Sequence, residues 1–367
     1  MLDTIPGQER AMAFMQSAAE RPHHAYVLAG PEGSGKSLAA RAFAAALLCR
    51  RGGCGECRDC RLALKDQHPN EFLVEPEGRD IHVDTIREEV WTPASRTAPE
   101  PGRKIFVIRE SDRLSPAAAD TLLKVLEEPP ADTVFLLMSA RAHELPETIR
   151  SRCHTVSFAA LSEAFVVEVL MAEGIDETHA LLAARLTGGN LGRARRLATS
   201  EDGLAFRDAA VEALDQAARG PTGALAAADL VIVAAATYKK GLKAELEQEL
   251  SPFLDQKGRP EDVYRGAIRR IETRFQRRER RAERDYVDWV LLAVSSLLRD
   301  RVAGQVGSPR ADLLNPDLAL SPDLSIVRAT RGFAGVEEAR AALAEDLNLN
   351  TRLVLERAFL ALAEIAA

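Results

Sequence analysis

Two groups of residues in the first sixty positions have the types and spacing to do chemistry. Gly30-Pro31-Glu32-Gly33-Ser34-Gly35-Lys36-Ser37 fits G-x-x-x-x-G-K-[ST] in full. An apolar run at Ala25 to Ala29 precedes it and a helical pattern from Ser37 to Leu48 follows. In that setting glycine backbone N–H groups wrap phosphates at a helix N-terminus. Gly30, Gly33, Ser34 and Gly35 would form the cradle of an ATP or ADP site. Lys36 would reach the β- and γ-phosphates, and Ser37 would bind Mg²⁺. The second group is Cys49, Cys54, Cys57 and Cys60, a C-x4-C-x2-C-x2-C pattern. Two overlapping C-x2-C steps and a fourth nearby thiol suit one tetrahedral, structural Zn²⁺. Free thiols, or three cysteines completed by His68, are the alternatives. Cys153 stands apart and reads as an ordinary buried thiol.

A phosphate cradle does not hydrolyse nucleotide alone. It needs an acid at the end of a neighbouring strand to hold the metal and orient water. The candidate strand ends at Ile108, and the next residues are Arg109-Glu110-Ser111-Asp112. An arginine at the acid's position repels a cation. Glu110 is the candidate to polarise water, and Asp112, three positions late, is a further candidate to reach the metal; a solvated loop is the alternative for both. Arg152 follows a short apolar helix, Leu145 to Ile149, and precedes a strand. It reads either as a surface salt bridge or as an arginine offered to a phosphate on another subunit. Residues 265–284 hold nine arginines and three glutamates. That run is a salt-bridged, solvated helix face or a track for a phosphate backbone.

The elements that must position these groups follow from patterning. Short apolar runs at Ala25–Ala29, Phe72–Glu75, Lys104–Ile108, Val134–Met138 and Thr155–Phe158 read as strands buried on both faces. Helices lie between them. One opens with Ser115 as N-cap and Pro116 at the first helical position, and is stopped by Pro129-Pro130. Alternating strands and helices predict a parallel α/β sheet. After Leu161 only helical periodicity remains. Ser162 to Ala198 reads as two or three short helices with a turn at Gly188-Gly189-Asn190. Loops are expected near Gly220-Pro221, Gly258-Arg259-Pro260 and Val306 to Pro322. The expected division is 1–160 as α/β core with a zinc-binding insert at about 49–60, 161–201 as helical lid, and 202–367 as an all-α domain.

Composition sets the outer bounds. The chain has 367 residues, 46% hydrophobic and 28% charged, with a net charge of −7. That is a globular composition and not that of a free-standing nucleic-acid binder, so any such contact is local or made with partners. The N-terminus lacks a basic stretch followed by an apolar one, and Ala224 to Tyr238 falls short of a membrane span and reads as a buried helix. A cytoplasmic protein without membrane contact is expected.

These residues together resemble the bacterial DNA polymerase III clamp-loader subunits. The resemblance rests on the phosphate loop, the cysteine turn, His68-Pro69-Asn70, the run Thr121-Leu122-Leu123-Lys124-Val125-Leu126-Glu127-Glu128-Pro129-Pro130, Thr148-Ile149-Arg150-Ser151-Arg152-Cys153, and Gly188-Gly189-Asn190-Leu191-Gly192-Arg193-Ala194. Gly7-Gln8 and His24-Ala25-Tyr26 fit as well. It covers about the first 200 residues, and more weakly the collar region around Arg280 to Asp285. It implies a P-loop AAA+ core, a helical lid and a collar that joins a hetero-oligomeric ring with gamma/tau and delta subunits. That assembly acts on the sliding clamp and primed-template DNA. Arg109 at the acid's place, and Gly192 where a motor subunit carries its sensor arginine, resemble the delta-prime stator, in which Arg152 would be the finger supplied in trans. The intact phosphate loop favours the alternative, an ATP-hydrolysing gamma/tau-like motor or another AAA+ ATPase.

Overall fold

The computed structural model describes residues 5, 7–76, 80–199, 201–251, 265–309, 313–316, 318, 324–345 and 349–363. It divides into two compact units, one of residues 1–173 with 187–193, the other of 174–186 with 194–367.

The first unit is built on five parallel strands, β1 (Ala25–Ala29), β2 (Glu71–Val74), β3 (Lys104–Ile108), β4 (Thr133–Ser139) and β5 (His154–Ser157), in the order β2-β3-β4-β1-β5. All neighbours run parallel; β1 sits between β4 and β5, with Val27 opposite Leu137 and Thr155. Each strand lies within a residue of its expected place. The near-continuous apolar runs are explained by burial on both sides. Tyr26, Leu28, Ile105, Val107, Leu136 and Met138 face the first two helices, α1 (Glu9–Glu20) and α2 (Lys36–Leu48). Val27, Phe106, Ile108, Phe135 and Leu137 face the opposite layer. Phe72, Phe106 and Phe135 stack across three strands with ring centroids 4.7 and 5.2 Å apart. Each fully buried large apolar side chain contributes about 1.5–3 kcal/mol, so the sheet edges holding the chemistry stand on a rigid base.

Two further helices of this unit carry candidate residues. The six-residue α3 (Arg58–Ala63) begins at Cys57, and α4 (Pro116–Glu127) begins at Ser115, whose hydroxyl accepts from Ala118 N. The expected apolar helix before Arg152 is only one turn, Glu147–Arg150. Pro146 sets its start, while Leu145 and Ile149 anchor it in the core.

The segment after β5 forms three short helices, α5 (Glu163–Ala172), α6 (Glu177–Thr187) and α7 (Leu191–Thr199). The second unit is then all helical: α8 (Glu201–Ala218), α9 (Pro221–Leu250), α10 (Arg265–Gln305), α11 (Ile326–Glu345) and α12 (Thr351–Leu360). Residues 221–244 of α9 are long and apolar enough to cross a membrane by length and composition, more than the expected stretch. Ala224, Ala227, Ala228, Val231 and Ala235 line a buried stripe against the other helices, and 28% of the apolar window is buried, so the expected buried helix is covered along one face only. Phe206, Tyr238, Tyr286 and Trp289 form an aromatic cluster, with the Arg196 guanidinium 5.0 Å from the Trp289 ring centre. In the arginine-rich part of α10, Ile268, Ile271, Phe275 and Ala282 are buried. Glu283 and Glu279 pair with Lys239 and Lys243 of α9, at 3.3 and 3.9 Å. The expected loop at Gly258-Arg259-Pro260 lies outside the described residues.

Candidate functional site

The loop from Gly30 to Gly35 joins β1 to α2, and its conformation needs glycine. Gly33 and Gly35 have φ of +76° and +94°, and a Cβ on Gly33 would drive into the Asn190 side chain. Gln8 clasps the loop from behind. Its Nε2 donates to Ser34 O at 3.0 Å and Ala159 O at 2.8 Å, and its Oε1 accepts from Ala159 N at 3.0 Å. The Gly7-Gln8 pair therefore has a mechanical role that spacing alone did not reveal. Lys36 is buried, and its Nζ donates to Gly30 O and to Pro31 O, the latter at 2.7 Å. Burial lowers its pKa, against the pull of Glu32 and Asp112. A phosphate would exchange two carbonyl contacts for anionic oxygens at the N-terminus of α2, where the helix dipole favours negative charge. Ser37 is exposed at the first turn. The residues present fit a nucleotide's phosphates.

The end of β3 places a cation between two acids. Arg109 points to two acids: NH1 lies 2.6 Å from Glu75 Oε1 and NH2 2.9 Å from Asp66 Oδ2. Asp66 also takes a forked bond from Arg41 of α2, at 2.6 and 3.0 Å. Asp66 is 3% exposed and has φ of +55°. Burial opposes the Arg109 charge, but Glu75 and Asp66 outweigh it and hold its pKa above the usual value. Glu110 has φ of +48°, and its carboxylate lies 3.1 Å from Arg113 Nε. Asp112 is the acid that faces the cradle's surroundings: Oδ1 accepts from Ser139 Oγ at 2.7 Å, and Oδ2 lies 3.2 Å from Arg141 NH2. Gly192 carries no side chain, but its neighbour Arg193 reaches the loop, with NH2 3.2 Å from Glu32 Oε2.

The four clustered cysteines come together, their sulfurs all within 4.8 Å of one another. The Cys49–Cys57, Cys49–Cys54 and Cys54–Cys60 separations are 3.7, 3.8 and 4.0 Å. A regular tetrahedron of thiolates 2.3 Å from zinc has S···S edges of about 3.8 Å, so the cluster fits Zn²⁺. Backbone N–H groups of Arg51, Cys57 and Cys60 donate to the sulfurs of Cys49, Cys54 and Cys57, which orients and stabilises thiolates. Burial pushes Cys49 up, but the N–H groups of Cys54, Gly53 and Arg51 bring it down to about 6. His68 is no fourth ligand. Its Nδ1 accepts from Asn70 N at 3.1 Å, which leaves the ring proton on Nε2, 3.6 Å from Asp59 Oδ1. Cys153 is half-buried and pushed up to about 12 by burial.

Arg152 NH2 lies 2.6 Å from Glu127 Oε1, and NH1 donates to Thr148 O at 2.9 Å. Within this chain it forms a surface salt bridge with the last residue of α4.

The motifs at these positions have known counterparts. Residues 7–162 match the family described as DNA polymerase III, delta subunit. The DNA polymerase III subunit delta' of Pseudomonas aeruginosa is 38% identical over 207 residues, covering 54% of this chain and 62% of that protein. Over this stretch the chain is similar to bacterial delta' subunits of DNA polymerase III. The Bacillus subtilis delta' subunit is 32% identical over 53% of this chain and 60% of its own length. The tau subunit of the same organism is 30% identical over 45% of this chain and 30% of that protein. The chain thus spans less than two thirds of the delta' relatives it matches. The family match ends at residue 162, within the first unit.

Proposed function

We propose that the chain acts as a delta'-like stator subunit of a DNA polymerase III clamp loader, helping ATP-dependent loading of a sliding clamp onto primed DNA in the bacterial cytoplasm. The carrying observation is the position of Arg109. The residue where a motor subunit needs its metal-binding acid is a cation locked between Asp66 and Glu75. Gly30, Gly33, Ser34, Gly35, Lys36 and Ser37 hold a nucleotide's phosphates, and bound Mg²⁺ would neutralise their charge. Hydrolysis by the isolated chain is weak or absent. Cys49, Cys54, Cys57 and Cys60 hold a structural Zn²⁺ that cross-links the turn after α2 to α3. Residues 161–201 act as a lid and 202–367 as the collar that joins gamma/tau and delta subunits.

In the assembly Arg152 exchanges Glu127 for the γ-phosphate of a nucleotide on a neighbouring subunit. Its fixed charge and planar fork suit phosphate oxygens. The exposed salt bridge it leaves is worth about 0–1 kcal/mol, a small barrier to that exchange. A gamma/tau-like motor is the second reading, favoured by the complete phosphate loop. Co-purification with gamma/tau and delta subunits, with ATPase measured for the chain alone and in the complex, separates the two. The stator reading expects assembly and negligible activity alone; turnover near 1 s⁻¹ by the isolated chain would establish the motor instead.

A further inference from the structure

Arg109 leaves the nucleotide cradle without an acid at the end of β3, yet a buried carboxylate stands beside it. Asp112 is 6% exposed and lies one hydrogen bond from β4: its Oδ1 accepts from Ser139 Oγ at 2.7 Å. Ser139 is itself buried, and its carbonyl accepts from Gly30 N, the first residue of the cradle, at 3.2 Å. One short chain of bonds thus fixes the Asp112 carboxylate relative to the phosphate loop. The other carboxylates nearby are engaged elsewhere: Glu110 with Arg113, Glu32 with Arg193, and Glu75 with Arg109. The second oxygen of Asp112 faces Arg141, a half-exposed side chain that also pairs with Glu144. A counter-ion of that kind is exchangeable, because exposed pairs contribute little.

We infer that Asp112 is the carboxylate that holds the divalent cation of a bound nucleotide in this chain, replacing the acid absent at Arg109. This rests on the phosphate-loop reading. Mg²⁺ keeps most of its waters and takes one or two carboxylates beside the nucleotide's phosphates, so one anchored oxygen meets the need. Three residues further along the chain, the carboxylate holds a cation without the geometry of a hydrolytic site. The intact cradle and the weak expected turnover are then compatible.

The test is the affinity of the full chain for ADP, by calorimetry, with Mg²⁺ and with EDTA. Wild type should bind about tenfold more tightly with Mg²⁺. Asp112→Asn should lose most of that gain, and should bind ADP in EDTA as well as wild type or better, since a negative charge near the phosphates is gone. A merely structural lesion would weaken both arms together. Arg141→Ala sits at the surface and tests the same point with opposite sign: freeing Oδ2 should enlarge the Mg²⁺ gain. A gain that Asp112→Asn keeps, that Arg141→Ala leaves unchanged, or that wild type lacks while still binding ADP, overturns the role of Asp112 alone. A wild-type chain that binds no ADP overturns the phosphate-loop reading with it.

Discussion

The cysteine cluster and the nucleotide cradle lie in the same unit, and they are built on opposite logics. The cluster is local: four thiols within twelve positions, brought to tetrahedral spacing by the end of α2, a glycine-rich turn and the start of α3. Its partners are its own backbone N–H groups. The cradle has a local half, the loop itself, but its chemistry depends on residues from the ends of β3 and β4 that are distant in sequence. There Arg109 is turned to Asp66 and Glu75. A local site is specified once its spacing is written. A site gathered across a sheet can keep its signature loop while the residues at the neighbouring strand ends differ.

The largest expected effect falls on the local site. Cys60→Ser removes a fully buried thiol of the four-cysteine cluster. Structural zinc sites carry about 10–16 kcal/mol of apparent binding free energy in small zinc peptides, so the variant should lose stoichiometric zinc by elemental analysis. His68→Ala should retain it; zinc lost with His68 but kept without Cys49 would reverse the ligand assignment. Arg109→Asp comes next. It sets a third carboxylate against Asp66 and Glu75, and removing one partner of a buried pair costs about 3–5 kcal/mol. With Arg109 still partly exposed, the lower end is expected, read by denaturant unfolding. The same substitution should not restore ATPase activity, and a hydrolytic Arg109→Asp chain would show that the acid alone separates the two kinds of subunit.

Lys36→Ala probes the cradle's local half. ADP affinity should drop by about tenfold or more, while stability changes little, because burial already penalises the Lys36 charge. The smallest effect concerns Arg152→Ala. The isolated chain should lose no more than about 1 kcal/mol, as for other exposed pairs. In the assembled loader the same change should lower DNA-stimulated ATPase and clamp loading, and Arg152→Lys should rescue poorly. A complex with Arg152→Ala that loads clamps at the wild-type rate leaves the residue as the salt bridge to Glu127.

Much of the first unit is legible in sequence because its strands are buried on both faces and bounded by turns. Lys104–Ile108 appears at its expected limits, and Ser115-Pro116 starts α4 as its cap chemistry dictates. The cysteine spacing likewise carried its own geometry. Side-chain partnerships across elements were not legible. No periodicity reveals that Asp66 receives both Arg41 and Arg109, that Gln8 braces the phosphate loop, or that Arg193, one place after Gly192, reaches Glu32. Nor does spacing reveal that Asp112, three positions past Arg109, takes a hydrogen bond from Ser139 at the end of β4. In α10 the glutamates looked like partners for arginines of their own helix. Glu279 and Glu283 also meet lysines of α9, partners that exist only once two helices pack.

The chain contains two tryptophans, and they report on different parts of it. Trp91, in the first unit, is 42% exposed; Trp289, in the second, is packed among Phe206 and its neighbours beneath Arg196. Their emission should differ in wavelength and in access to a soluble quencher. Trp91→Phe leaves a fluorophore that senses only the helical unit, and Trp289→Phe one that senses only the α/β unit. Each unit thus carries its own optical label, and melting of one can be timed against the other without any added dye.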